Sequence, residues 1–205
     1  MNEEQAREWI ATRWGGGAVD RLSAFVALLV AESERQNLIA RSTLTEVWQR
    51  HVLDSAQLVP LAEQAGEGAW HDVGTGAGLP GLVVAILQSR PVVLIEPRRK
   101  RVEFLTAVVD QLGLNATTYL GKAESLRTLE PAAVISARAV ASLDDLFASS
   151  AHLSAHQTIW LQPKGKSSKS ELVDARRTWQ GVFHVEQSIT ASESRIIVAK
   201  KVQRR

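Results

Sequence analysis

Cysteine is absent from the 205 residues of this chain. Its absence excludes a disulfide framework and any thiolate-held metal, and nothing argues for an oxidising compartment. Long apolar runs are missing as well, since none approaches the roughly 20 residues of a membrane-crossing helix. The amino-terminal segment MNEEQAREWIATRW carries acids where a secretion signal would carry bases. A cytoplasmic, unexported protein with no membrane partner is therefore expected. There is no internal repeat or low-complexity tract, and the length suits one domain plus an appendage better than two ordinary domains. His152 and His156 share the i, i+4 spacing that suits a metal, but no third ligand accompanies them, so no metal is expected.

Net charge is nearly absent too, at +2, yet it is unevenly spread. Residues 1–97 carry 7 Lys and Arg against 12 Asp and Glu, residues 98–150 carry 7 against 6, and residues 151–205 carry 10 against 4. A basic carboxyl-terminal third suits a polyanionic partner, because Lys and Arg displace condensed counterions from phosphates. An ordinary solvated surface accounts for the charge alone equally well.

The apolar pattern divides the chain in two. Up to residue 66 it is helical: Leu22, Phe25, Val26, Leu29 and Val30 recur at helical spacing over 18–33, and Leu44, Val47, Trp48 and Leu58 over 43–59. Gly15, Gly16 and Gly17 are expected to separate the first helix from the second. From Trp70 onward short β-branched runs alternate with helical patterns. Strands are expected at 69–73, 92–96, 115–120, 132–137, 157–162, 182–189 and 194–201, with helices at 79–89, 98–112, 142–152 and 167–179. Strands separated by helices imply parallel βαβ units, whose sites lie at the carboxyl ends of the strands. The last two strands have only a short link and should pair antiparallel. The fold class expected is α/β: a Rossmann-like methyltransferase domain over 67–205 with a seven-stranded, mostly parallel sheet, preceded by a helical extension over 1–66.

The strongest local signal is DVGTGAGLPG, residues 72–81, at the end of the first strand and the start of a helix. Gly74, Gly76 and Gly78 permit a tight turn with positive φ and a close approach of backbone to ligand. Gly76-x-Gly78-x-x-Gly81 also matches the dinucleotide fingerprint, and Glu96 stands 20 residues beyond Gly76, where a ribose-binding acid belongs. Two features favour S-adenosylmethionine over NAD. Asp72 precedes the loop in a D-x-G-x-G-x-G pattern, where the acid helps hold the methionine end of the cofactor and would repel a pyrophosphate. The antiparallel terminal pair also departs from the six parallel strands of a dinucleotide domain. A Glu96 that only caps the following helix is the bland alternative.

Arg98, Arg99, Lys100 and Arg101 crowd the first turn of a helix, where the macrodipole disfavours positive charge. Such a placement suits phosphate binding near the cofactor cleft. His51, Asp54 and Ser55 share one helical face. They read as hydrogen-bonding anchors that tie the extension to the glycine loop. Trp160, in a strand, reads as core.

Several segments together carry a family likeness: QNLIA (36–40), RHVLDS (50–55), DVGTGAGLPG (72–81), IEPRRKRVEFL (95–105), ISARAVASL (135–143) and PKGK (163–166). With them the chain resembles the bacterial small-subunit rRNA guanine-N7 methyltransferases of the RsmG family, formerly GidB, over nearly its whole length. The resemblance implies S-adenosylmethionine as cofactor and the N7 of a guanine in 16S ribosomal RNA as target. The partner is naked RNA or an assembling small subunit, and a monomer is expected. It also implies cofactor contacts at Gly74 and Leu79, adenine framing by Ala123 and Glu124, and an active-site guanidinium at Arg138 touching cofactor or RNA. Lys164 and Arg101 resemble RNA-facing positions, with Arg195 a weaker one, and Arg138 and Lys164 become the catalytic candidates. Arg98 and Arg99 depart from the small or acidic residues other members often carry, and Lys122 from a common Arg. An NAD-dependent oxidoreductase or a non-catalytic RNA-binding module stands as the alternative. Valine at Gly76 or Gly78 is expected to abolish activity and leave the fold largely intact.

Overall fold

The computed structural model describes residues 1–139, 142–165 and 168–205. Val140 and Ala141 of the ISARAVASL segment, Lys166 of PKGK and the expected helix start at residue 167 lie outside the described residues. Two long helices open the chain. α1 (Glu3–Trp14) starts with a capping box in which Asn2 and Gln5 each bond the other's backbone N–H. Gly15, at φ 80°, ends it, and Gly15 alone makes the break, because Gly16 and Gly17 already belong to α2 (Gly16–Ser33). α2 buries Leu22, Phe25 and Leu29, three residues on one helical face.

The next segment differs from the continuous helix expected over 43–59. It runs as a 3₁₀ turn at Arg41–Glu46, a π-helical turn at Trp48–Leu53, and two short helices, α3 (Asp54–Ala56) and α4 (Leu58–Leu61). Glu3 is the physical reason at its entrance, since its carboxylate accepts from the backbone N–H groups of Trp48 at 3.0 Å and Gln49 at 2.8 Å.

The sheet contains β1 (Trp70–Val73), β2 (Val92–Glu96), β3 (Ala116–Leu120), β4 (Ala132–Ser136), β5 (Ser154–Lys164), β6 (Trp179–Gln187) and β7 (Arg195–Arg204), in the order β3-β2-β1-β4-β5-β7-β6. β1 to β5 are parallel, and β7 runs antiparallel between β5 and β6. Trp70 pairs with Val92 on one side and Val134 on the other, so the chain reverses its winding at β1 and opens a crevice at that strand's carboxyl end. Helices α5 (Gly81–Leu87) and α6 (Arg99–Leu112) cover one face; α7 (Leu143–Ser150) and α8 (Ser168–Thr178) cover the other.

All seven residues of α5 are buried, because this helix has the sheet on one side and α2 and α3 on the other. One apolar cluster runs from Ala6 and Ile10 through Leu82 to Leu94 and Val198, so the helical layer and the sheet share a core. The opposite face packs Phe147 edge-on against Trp160, ring centroids 4.9 Å apart, as a core role for Trp160 requires. Among the described residues no helix is long and apolar enough to cross a membrane, and no His, Cys, Asp and Glu group is placed to hold a metal.

Candidate functional site

At the carboxyl end of β1 the loop turns through Gly74, Gly76 and Gly78, with φ of 65°, 57° and 85°. Gly74 and Thr75 donate their N–H groups to the Ile95 carbonyl of β2, which holds the loop across the crevice. Asp72 lies beneath it, fully buried. One of its oxygens accepts from Gly81 N–H at 2.8 Å and the other from the Ser136 hydroxyl at 2.6 Å, while Trp70 Nε1 donates to that same hydroxyl at 2.8 Å. Burial pushes this carboxyl up to about 6, against the hydrogen bonds from Ser136 and Gly81 that favour its charge. Asp72 therefore stitches the loop's far end to β4 from below.

The glycines differ in what they leave room for. A Cβ on Gly81 would fall 2.3 Å from Leu94 Cδ2 and 2.8 Å from Asp72 Oδ2, and one on Gly78 would fall 2.2 Å from Leu82 Cδ1. Gly81 serves helix-on-strand packing, whereas Gly78 sits against Leu82 of α5 and Leu105 of α6. Carbons added at Gly78 would press on the buried side chains of Leu82 and Leu105, which sets a packing cost against the expectation that valine there spares the fold. At Gly76 a Cβ would meet only the end of Arg101, 3.3 Å away. Leu79 is 3% exposed, its side chain in the core and its N–H given to Thr75.

Glu96 closes β2. Its carboxylate accepts from Gly76 N–H at 3.1 Å and Arg98 N–H at 2.9 Å, so it both ties the glycine loop and caps α6. Arg101 turns toward it, Nη1 standing 3.9 Å from Oε2, and its side chain stays 24% exposed. The exposed cations of that turn are Arg98, Arg99 and Lys100.

Beside the loop opens a cleft of 540 Å³ lined by Gly74, Ile95, Ala123, Glu124, Asp145 and Ala148, at the carboxyl ends of β1 to β3. Its apolar walls with carboxylates at the rim fit a nucleoside, and the bare loop backbone at Gly74 and Gly76 allows a close approach; this donor set suits S-adenosylmethionine. A second cleft, of 660 Å³, lies beyond the carboxyl ends of β4 and β5 and gathers Asp54, Arg138, Ser142, Lys164, Glu171 and Arg195. Ser142 caps α7 by accepting from Asp145 N–H, and its hydroxyl donates to the Asp145 carboxylate, so the first turn of α7 is the partition between the clefts.

The structure thus separates the expected residues. Gly74, Ala123 and Glu124 line the first cleft; Arg138, Lys164 and Arg195 line the second. Lys164 is 10% exposed and bonded to Glu171 at 2.7 Å. Arg195 donates to the carbonyls of Ser192 and Ser194. Arg138 donates to Asp54, to the Arg50 carbonyl and to His51 Nδ1, each at 3.2 Å. His51 and Asp54 therefore tie the extension to the loop after β4, not to the glycine loop as expected. Nothing in the sequence sets Glu171 or Asp145 apart as cleft residues.

The family model described as "rRNA small subunit methyltransferase G" matches residues 18–198. The chain is similar to ribosomal RNA small subunit methyltransferase G of Erythrobacter litoralis, 48% identical over 97% of this chain and 96% of that one. The protein of the same name from Zymomonas mobilis is 43% identical over 98% and 95%. Among solved structures, a methyltransferase from Geobacter sulfurreducens aligns at a TM-score of 0.56 with 14% identity, over 86% of this chain and 90% of that one. M. jannaschii TYW2 in complex with AdoMet aligns at 0.54 with 12% identity, over 74% and 76%. These structural likenesses speak for the fold.

Proposed function

The chain belongs to the rRNA small subunit methyltransferase G family, and we propose that it transfers the methyl group of S-adenosylmethionine to the N7 of a guanine in 16S ribosomal RNA. The observation that carries this reading is the pair of clefts on either side of the first turn of α7, one suited to a nucleoside and one gathering Arg138, Lys164 and Arg195 with the carboxylates of Asp54 and Glu171. The substrate is naked RNA or the assembling small subunit, and the protein acts as a monomer. Residues 67–205 form the methyltransferase domain and residues 1–66 its extension.

Guanine N7 offers an in-plane lone pair and carries no proton, so no residue need act as a base at the target atom. When bound, the cofactor supplies an electrophilic methyl group on its sulfonium. Chemistry at the chain's side is then positioning, which alone can lower a barrier by several kcal/mol, about 7 or more in favourable cases. The cofactor would be held by Glu96 at its ribose hydroxyls, by the backbone at Ala123 and Glu124 around its adenine, and by the loop at Gly74 and Gly76, which would admit its methionine portion. Asp72 acts by holding the loop's shape. A guanine unstacked from its neighbours enters the second cleft, where Arg138, Lys164 and Arg195 supply positive charge. Arg98, Arg99 and Lys100 meet phosphates outside, while Arg101 works at the cofactor mouth through Glu96.

Ligand-induced thermal shift tests the reading directly. S-adenosylhomocysteine should stabilise the protein and NADH should not. Stabilisation by NADH alone would support an oxidoreductase, and by neither a binding module.

A further inference from the structure

His51 and Asp54 are sequence neighbours on the π-helical turn and α3, and both are bonded to one side chain on a distant loop. The tautomer of His51 follows from its partners. Thr43 Oγ1 gives its proton to the Ala40 carbonyl at 2.7 Å, so it can only accept from His51 Nε2–H, 2.9 Å away. Nδ1 is then a bare acceptor, which Arg138 Nη2 fills. Burial, with Arg138 and Arg50 nearby, keeps this imidazole neutral by lowering it to about 4.

Asp54 is fixed with equal care. One oxygen takes Arg138 Nη1; the other accepts from Gln57 Nε2 and the Thr190 hydroxyl, both at 2.9 Å. Gln57 is itself buried and bonded to Ser188 and Ile189 in the turn between β6 and β7. A polar chain thus runs from the extension to the loop after β4 and on to the last turn of the sheet, and it converges on the 660 Å³ cleft.

A guanidinium has five N–H groups. Nη1 spends both of its own on Asp54 and the Arg50 carbonyl, and Nη2 spends one on His51. The Nε–H and one Nη2–H have no partner among the described residues, and Arg138 lines the 660 Å³ cleft. Resting on the reading of that cleft as the RNA site, we propose that His51 and Asp54 are positioning residues that hold the Arg138 guanidinium from behind, so that its remaining N–H groups engage a phosphate or base oxygen of the RNA. The amino-terminal extension is thereby a working part of the substrate site and not only a cover for α5.

Isosteres of His51 separate this role from a structural one. His51→Asn keeps an acceptor where Nδ1 stands, His51→Gln keeps a polar atom at the Nε2 end that meets Thr43, and His51→Phe keeps neither. Each variant is assayed for methylation of small subunits lacking the modification, with KM for the subunit and kcat resolved, alongside S-adenosylhomocysteine affinity by calorimetry and binding of a 16S rRNA fragment. His51→Gln and His51→Phe should weaken RNA binding and raise that KM about ten-fold or more, the loss expected for a hydrogen bond to a charged group. His51→Asn should stay close to wild type, and cofactor affinity should change little in all three. In an Arg138→Ala background the His51 effect should vanish. Equal losses for asparagine and glutamine, or an undiminished His51 effect without Arg138, overturn the proposal. A wild-type protein that forms no 7-methylguanosine and binds no rRNA fragment would remove the underlying reading and the proposal with it, whereas normal wild-type activity with indistinguishable isosteres sinks the proposal alone.

Discussion

Replacing Asp72 by asparagine isolates the charge buried under the glycine loop. The native carboxyl is raised from 3.8 to about 6 by burial. Between those values the folded protein holds a proton that the unfolded chain has released, so this group's contribution turns unfavourable as pH rises through the window and stays so above it. The full penalty above pH 6 is about 3 kcal/mol, from roughly 1.4 kcal/mol for each unit of displacement. Asparagine carries no charge and still offers an oxygen to Gly81 N–H. Its amide cannot accept the Ser136 proton, which costs about 1 kcal/mol for one hydrogen bond. The balance favours Asp72→Asn by about 2 kcal/mol at pH 8, or about 5 °C in Tm for a chain of this size. Below pH 4 the advantage should be gone. Thermal unfolding of both proteins from pH 4.5 to 8 reads this out, and the titrations of His51 and His71, each lowered to about 4, are common to both and cancel. A Tm difference that is flat with pH, or a wild type more stable at pH 8, would refute the reasoning.

Gly78→Ala should destabilise the fold by about 2 kcal/mol or more, since its Cβ overlaps Leu82; Gly76→Ala should cost about 1 kcal/mol of backbone strain and weaken S-adenosylhomocysteine binding instead. Denaturant titration and calorimetry on the two variants check the split. Glu96→Ala should lower S-adenosylhomocysteine affinity about ten-fold or more through the lost ribose acceptor, and unchanged affinity would remove Glu96 from the cofactor site. Arg98→Ala and Arg99→Ala should each reduce the salt slope of log K for RNA by up to about one unit with cofactor affinity intact; slopes equal to wild type would take these side chains off the RNA path.

What the sequence makes legible is whatever period and local chemistry control. The β-branched runs locate all seven strands, the short link before Arg195 marks the antiparallel pair, and the glycine loop falls where a strand meets a helix. Contacts between distant residues stay hidden. Nothing in the spacing over 43–59 distinguishes an α-helix from the π-helical turn, because both bury Trp48, Val52 and Leu53, and the carboxylate that takes the Trp48 and Gln49 N–H groups belongs to Glu3. Asp72 reads as a ligand contact from its place before the loop, yet Ser136 and Gly81 enclose it. Arg101 reads as one of four like cations until Glu96 draws it inward. Each of these is a tertiary pairing that local pattern cannot encode.

The most direct test of the central claim is nucleoside mass spectrometry on small ribosomal subunits from a strain lacking this gene, incubated with the purified protein and S-adenosylmethionine carrying a labelled methyl group. The account predicts labelled 7-methylguanosine in 16S rRNA, and none when the cofactor is omitted. A label on another nucleoside or another atom of guanine, or no label with a folded protein that binds S-adenosylhomocysteine, would contradict it.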